Sequence, residues 1–160
     1  MRVLNCLRAA SPDDDEFMLA VYASTRAEEL ALVAWSAEQK DAFLRMQFDA
    51  QRHHYRLHYP AAEYSVILHD GAPAGRLIVD RSGDLLAVID IALLPAYRGL
   101  GIGTRLLRAL QDEAARADKA VRLRVEFFNP ARRLYERLGF VMAGEIGIYQ
   151  SLEWHAGTTA

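Results

Sequence analysis

The sequence predicts an α+β fold in which a mostly antiparallel mixed sheet is flanked by helices. Three observations lead there. The first third carries apolar residues at helical spacing behind helix-start signals, and the middle third breaks into short apolar runs divided by turn dipeptides. The last third alternates between helix and strand patterns. A chain of 160 residues, 52% of them apolar, is the size of one compact domain with a substantial core. That domain is expected over residues 1–155, with a loose end at 156–160.

Val3 to Arg8 alternates as a short strand does. Ser11-Pro12-Asp13-Asp14-Asp15 then supplies a cap, a first-turn proline and acids that suit a helix N-terminus, so a helix is expected to about Tyr22. Ser36 followed by Gln39 forms a capping-box pattern. Phe43, Leu44, Met46 and Phe48 give a second helix, Glu38 to Tyr55, its apolar side. Three runs, Tyr64 to His69, Ala74 to Asp80 and Leu85 to Leu93, are separated by Asp70-Gly71 and Ser82-Gly83 and read as an antiparallel meander. Ile102, Leu106, Leu107, Leu110 and Ala114 mark the buried stripe of an amphipathic helix, with Arg105, Arg108, Asp112 and Arg116 mostly opposite. Val121, Leu123, Val125 and Phe127 alternate with charged residues as a strand. Pro130 to Leu138 forms a helix stopped by Gly139, and Phe140 to Trp154 supplies two final strands.

Composition excludes several classes of function. A net charge of -2 with scattered basic residues gives no field for concentrating nucleic acid or anionic lipid. Cys6 is the single cysteine, which rules out an intrachain disulfide and a cysteine-rich metal site. The N-terminal stretch lacks a signal-peptide core and no run has the length of a membrane span, so a cytoplasmic location is expected, with neither nucleic acid nor membrane as partner. His53, His54 and His58 include an i,i+4 imidazole pair but bring no evident third ligand, so no metal is expected.

The most informative segment is Leu93-Leu94-Pro95-Ala96-Tyr97-Arg98-Gly99-Leu100-Gly101-Ile102-Gly103-Thr104, between a strand and a helix. Its glycines let a ligand approach the backbone, and the new helix offers unpaired N–H groups at its positive end. Arg98 adds a charge, so the turn suits a phosphate. Arg105, Arg132 and Arg133 are candidates for a more distant phosphate. A P-loop is excluded because no Gly-Lys-Ser/Thr closes the run, and a dinucleotide fingerprint because Thr104 stands where its third glycine belongs.

Arg98-Gly99-Leu100-Gly101-Ile102-Gly103 resembles the Gln/Arg-x-x-Gly-x-Gly/Ala signature of the GNAT superfamily of acyl-coenzyme A-dependent N-acyltransferases. A second block, Asn129-Pro130-Ala131-Arg132-Arg133-Leu134-Tyr135-Glu136-Arg137-Leu138-Gly139-Phe140, resembles the family's Asn-x-x-Ala/Ser helix with its later Tyr and closing Gly-Phe. The resemblance implies acetyl-coenzyme A as co-substrate, a small-molecule or peptide amine as acceptor, and a prior for a homodimer. It implies that Ile91, Leu93 and Leu94 run beside the pantetheine arm while Arg98 through Thr104 cradle the pyrophosphate, with Asn129 and Arg132 as further contacts to the coenzyme. The rival reading is an acyl-coenzyme A sensor that binds without turnover.

The resemblance gives Tyr135 the place of the general acid at the leaving sulfur. A thiol pKa of about 8.5 lies below a phenol pKa of about 10 in water, which runs against full proton transfer. Orienting the sulfur by a hydrogen bond, or simply anchoring the helix, are the other readings of Tyr135. Asp90, inside an apolar run, is a candidate base, but a hairpin turning about Gly83 would set it opposite Arg76 as an ion pair. Glu126 is a second candidate that shares a strand face with Arg122 and Arg124 and can pair with them, and a water relay is a third route. Arg26, Glu28 and Glu29 are expected between the first two helices, where the family shapes its acceptor site. Ordinary solvated charge is their plainer account.

Overall fold

The computed structural model describes residues 6–126 and 129–157. Seven strands make one sheet in the order β1-β2-β3-β4-β5-β7-β6: β1 Leu7–Ala9, β2 Glu63–His69, β3 Ala72–Asp80, β4 Leu85–Leu93, β5 Ala120–Glu126, β6 Val141–Ile146 and β7 Tyr149–Trp154. Every neighbouring pair is antiparallel except β4 and β5. Those two are parallel because α3, Ile102–Arg116, crosses between them. Helices α1 (Asp15–Ala31) and α2 (Ala37–His58) pack Met18, Leu19, Tyr22 and Phe48 against Val66 on one face of the sheet. On the other face α3 and α4 (Arg132–Arg137) bury Ile102, Leu106, Leu107, Leu110, Ala114 and Tyr135 against Leu77, Val79, Leu86, Val88, Val121, Leu123 and Val125.

The meander and the α3 stripe lie where the sequence places them, and the four charged positions named for α3 are all exposed. The Ser36 capping box also forms, with Gln39 N–H donating to Ser36 Oγ over 3.1 Å and Ser36 N–H donating to Gln39 Oε1 over 2.9 Å. Other expectations are corrected. The first strand is Leu7–Ala9, and the part of the expected strand at residues 3–5 lies outside the described residues, as do Phe127 and residues 158–160 of the expected loose end. α1 runs on to Ala31 instead of stopping near Tyr22; Ser24 and Thr25 lie inside it with their hydroxyls donating back to the carbonyls of Val21 and Tyr22, each over 2.6 Å, so neither is left unpaired within the helix. Arg26, Glu28 and Glu29 are therefore helical residues rather than a connection, with Arg26 Nη1 donating to Glu29 Oε1 over 3.2 Å. Met46 is exposed, so the buried side of α2 is narrower than its apolar spacing suggests.

What positions the site is an irregularity in β4. Val79 faces Val88, yet Ile78 faces Asp90, so Ile89 is an extra residue that bends the strand. Pairing between β4 and β5 ends at Val88 and Leu123, although β4 stays on β3 to Leu93 and β5 stays on β7 to Glu126. A wedge-shaped gap opens between Ile89–Leu93 and Arg124–Glu126. Gly75 fits β3 against the departing end of β4, since a Cβ there would lie 2.2 Å from the Ala92 carbonyl oxygen. Gly75→Ala is therefore expected to force the two backbones apart and lower the unfolding free energy by about 1–3 kcal/mol, the usual cost of overpacking. Chemical denaturation measures this, and an unchanged midpoint would contradict the close approach.

Candidate active site at the gap between two strands

The phosphate-type turn follows directly from β4. Pro95–Tyr97 makes one 3-10 turn, after which Gly99 (φ +77) and Gly101 (φ +81) take left-handed conformations and Gly101 caps α3. Gly103 is already helical, so no left-handed backbone requires glycine there. A Cβ there would make only an ordinary 3.9 Å contact with Leu134. Among the described residues, none accepts a hydrogen bond from the N–H groups of Gly99, Leu100, Gly101, Ile102, Gly103 or Thr104, and the first bond of the helix is Arg105 N–H to Gly101 O. Six free donors at the positive end of a 15-residue helix form a concavity suited to a phosphate group. Arg98 leans back, donating from Nε to the Leu93 carbonyl over 3.1 Å, and Arg105 Nη1 reaches the Leu100 carbonyl at 3.5 Å. Both guanidinium groups rim the turn.

Strand alternation tells which β4 groups face the gap. Leu94 donates its N–H to Ala74 O over 2.8 Å, toward β3, so the N–H and C=O of Leu93 and Ile91 point the other way, into the opening. Arg98 takes the Leu93 carbonyl, which leaves the Leu93 N–H and both polar groups of Ile91 open. Leu94 thus differs from its two sequence companions, because its N–H is committed to the sheet.

A cleft of about 320 Å³, counted with its open mouth, occupies the gap, lined by Val88, Ile89, Asp90, Ile91, Leu123, Arg124, Val125, Asn129 and Tyr135. The sheet face toward α3 and α4 supplies Tyr135, which is buried with its ring edge-on to Phe140 at 6.2 Å. Burial first, and the nearby charge of Asp90 second, push its phenol up to about 12. It therefore remains a hydrogen-bond donor throughout the physiological range. The opposite sheet face supplies Asp90. The β3–β4 turn centres just past Gly83 and the bulge shifts the pairing by a further residue, so Arg76 faces Ala92 and not Asp90, which corrects the expected register, but the two side chains still meet on a diagonal as an ion pair. Asp90 Oδ2 lies against Arg76 Nη2 without the alignment of a hydrogen bond. Arg76 Nη2 also donates to Gln51 Oε1 over 2.9 Å, and Arg76 Nε finds no acceptor among the described residues.

The other candidates divide clearly. Asn129 lines the cleft and accepts from Ala131 N–H through Oδ1 over 2.9 Å, so it caps its turn and still keeps its amide donors. Arg132 is engaged by Glu136 over 3.0 Å and by Gln150. Glu126 reaches neither Arg122 nor Arg124 as an ion pair among the described residues, and Arg124 Nη1 instead donates to the Tyr59 hydroxyl over 3.2 Å. The His53, His54 and His58 side chains are exposed, with the rings of His54 and His58 4.3 Å apart, and no group of three or more metal-type ligands occurs among the described residues. No described helix is long and apolar enough to cross a membrane.

Sequence reasoning missed Gly75, Gln51, Tyr55 and Tyr59. A lone glycine inside a strand pattern was a usable signal for Gly75. Gln51 and Tyr55 in α2 and Tyr59 at its C-cap carried none, because their approach to β4 and β5 is set by helix packing. Burial, and then the charge of Asp90, raise the phenol of Tyr55 far above its ordinary value, so that wall of the site is neutral.

A strand that parts from its parallel neighbour, a free donor nest at its end and a buried phenol in the opening make up one continuous site. The chain belongs to the GNAT acetyltransferase family, whose model matches residues 24–140. Its fold is shared with PaiA N-acetyltransferase from Thermoplasma acidophilum, solved in complex with coenzyme A, at TM-score 0.70 and 18% identity over 93% of this chain and 97% of that one. It is also similar to spermidine N-acetyltransferase from Vibrio cholerae in complex with CoA and spermine, at TM-score 0.63 and 20% identity over 95% of each chain. A histone acetyltransferase HPA2 and related acetyltransferase structure from Corynebacterium glutamicum aligns at TM-score 0.64 and 24% identity over 94% of each. No curated protein matches the sequence.

The Tyr135 phenol yields a prediction with a definite sign. Its folded pKa of about 12 lies above the unfolded value of about 10, so its contribution is complete below pH 10 and fades as pH rises toward 12. Between pH 9 and about pH 11.5 the wild type is expected to lose about 2 kcal/mol of stability relative to Tyr135→Phe. Parallel unfolding curves at pH 9 and about pH 11.5 check it, and a constant difference would refute the burial of the hydroxyl.

Proposed function

We propose that this protein transfers an acetyl group from acetyl-coenzyme A to a primary amine by direct attack within a ternary complex. The observation that carries the reading is the gap between β4 and β5, which meets the donor nest of residues 99–104 at one end and Tyr135 and Asp90 in its middle. When bound, the coenzyme supplies a thioester carbonyl activated toward an amine. The residues offered to it fit. The N–H groups of Gly99, Leu100, Gly101, Ile102, Gly103 and Thr104 and the guanidinium of Arg98 would hold the pyrophosphate. Ile91 and Leu93 would extend the sheet by one strand's worth of pairing along the pantetheine arm. Asn129 would add its side-chain N–H, while Arg132 would have to leave Glu136 or Gln150 to contribute.

Catalysis in this reading rests on position and on fixed dipoles. A β4 N–H that faces the gap stabilises the charge developing on the carbonyl oxygen. Tyr135 donates a hydrogen bond to the departing sulfur. Its phenol, at about 12, holds its proton more firmly than a thiol does, so orientation and partial charge stabilisation come before complete transfer. Asp90, on the opposite wall, receives the proton of the attacking amine directly or through water, with Arg76 holding the carboxylate in place. An acyl-enzyme is not needed, as Cys6 precedes β1 at the far edge of the sheet from the gap.

Release of free thiol from acetyl-coenzyme A over a panel of amines tests the proposal, whereas binding without thiol release across the panel would favour a sensor. Gly101→Val puts a branched side chain at φ +81 and should weaken coenzyme A and acetyl-coenzyme A alike. Unchanged calorimetric affinity in a folded variant would overturn the phosphate assignment. Tyr135→Phe keeps the ring and removes the hydroxyl, and should lower kcat by about tenfold to thousandfold with KM little altered. Full turnover in that variant would reduce Tyr135 to a packing residue.

A further inference from the structure

Arg124 stands on the cleft wall provided by β5 and is exposed. Its only side-chain partner among the described residues is the neutral Tyr59 hydroxyl, 3.2 Å from Nη1, and no carboxylate reaches it as an ion pair. Several other arginines, such as Arg98, Arg108 and Arg122, also lack an ion pair among the described residues, and what sets Arg124 apart from them is its place on the cleft lining. The neighbours of Arg124 do not compensate it. From β7 the residue opposite is Ser151, and from the C-terminal end of α2 come Tyr55 and, just past the helix with its ring 6.3 Å from that of Tyr55, Tyr59. Glu126, two residues along the same strand face, forms no ion pair with it, and Asp90 across the gap is committed to Arg76. The Arg76–Asp90 pair is close to neutral, so the cleft presents one net positive charge, carried on a guanidinium that Tyr59 holds in place.

We propose that the acceptor amine carries an anionic group, a carboxylate as in an amino acid or a peptide end, and that Arg124 recognises it while the amine reaches Tyr135 and Asp90. This deepens the acetyl-transfer reading and rests on it. With one guanidinium edge fixed by Tyr59, the remaining donors present the planar fork that matches a carboxylate, and little side-chain freedom is left to lose on binding. Tyr59 is a positioning residue in this arrangement. The β4 and β5 strands part immediately after Val88 and Leu123, so Asp90 on one strand and Arg124 on the other line the same opening. A compact zwitterion spans that opening, whereas a polyamine would set a second cation against Arg124.

The test uses the full chain with acetyl-coenzyme A and acceptors that share one skeleton: an amino acid, its primary amide and the corresponding amine without the carboxyl carbon, with spermidine alongside. The expected result is a kcat/KM preference for the acid over the amide of about tenfold to hundredfold, the scale of one charge-assisted hydrogen-bonded contact. In Arg124→Gln that ratio should collapse toward one through a rise in KM for the acid. Arg124→Lys should restore part of it, and Tyr59→Phe should lower it less than Arg124→Gln does. Arg124 is exposed, so melting temperatures should stay level across these variants. Equal turnover of acid and amide by the wild type, a preference for spermidine, or an unchanged ratio in Arg124→Gln would each overturn the inference while leaving acetyl transfer standing. Absence of thiol release with every amine would overturn acetyl transfer, and this inference with it.

Discussion

One additional residue in β4, Ile89, ends the pairing of two strands that would otherwise run together, and the rest of the site depends on that break. A continuous sheet would satisfy its own N–H and C=O groups and leave nothing to offer a ligand. By bending β4 away from β5 while β3 and β7 keep their hold on the two sides, the bulge leaves unpaired backbone in the middle of the molecule, where one orphaned polar group would ordinarily cost about 1–3 kcal/mol. Unused donors in such a place mark a backbone waiting for a strand-like partner. Residues from both sheet faces can meet there, so Tyr135 under one layer and Asp90 under the other come to share a cleft.

The Arg76–Asp90 pair belongs to this same feature. Taking both charges out of water is costly, and replacing such a pair by apolar residues is often neutral or stabilising, so stability alone is a weak reason for it. Removing one partner is another matter, since the charge left behind would be buried and unpaired. The pair joins β3 to the residue that follows the bulge, and Gln51 adds a bond from α2. It thereby ties the displaced end of β4 to two elements at once and sets a carboxylate on the wall of the cleft. Gly75 contributes on the same stretch of β3 by having no side chain where the backbones come closest.

At the far end of β4 the physics is local. Two left-handed glycines turn the chain so that consecutive N–H groups point outward just as a helix begins, and the helix dipole adds to their potential. The strand delivers this nest to one end of the gap, whose middle is lined by Asp90 and Tyr135.

Much of this was legible in the chain itself, wherever the signal is local in sequence. Strand alternation, the α3 stripe, the Ser36 capping box and the glycine turn depend on residues within a few positions of one another, and each was placed correctly from spacing and composition. The second motif block pointed to Tyr135 and Asn129, and both line the cleft. The extent of α1 escaped because no local signal beyond Tyr22 marks where the helix ends, and Met46 lies outside because apolar spacing does not say how wide the covering sheet is. The sequence by itself therefore determined the elements, their order and the family's two motif segments. Only the tertiary structure decided the bulge at Ile89 and the diagonal pairing of Asp90 with Arg76. The same holds for the approach of Gln51, Tyr55 and Tyr59 to the cleft and the uncompensated charge of Arg124. Strand register and helix docking are settled by long-range packing, in which a shift of one residue changes every partner while leaving the local pattern the same.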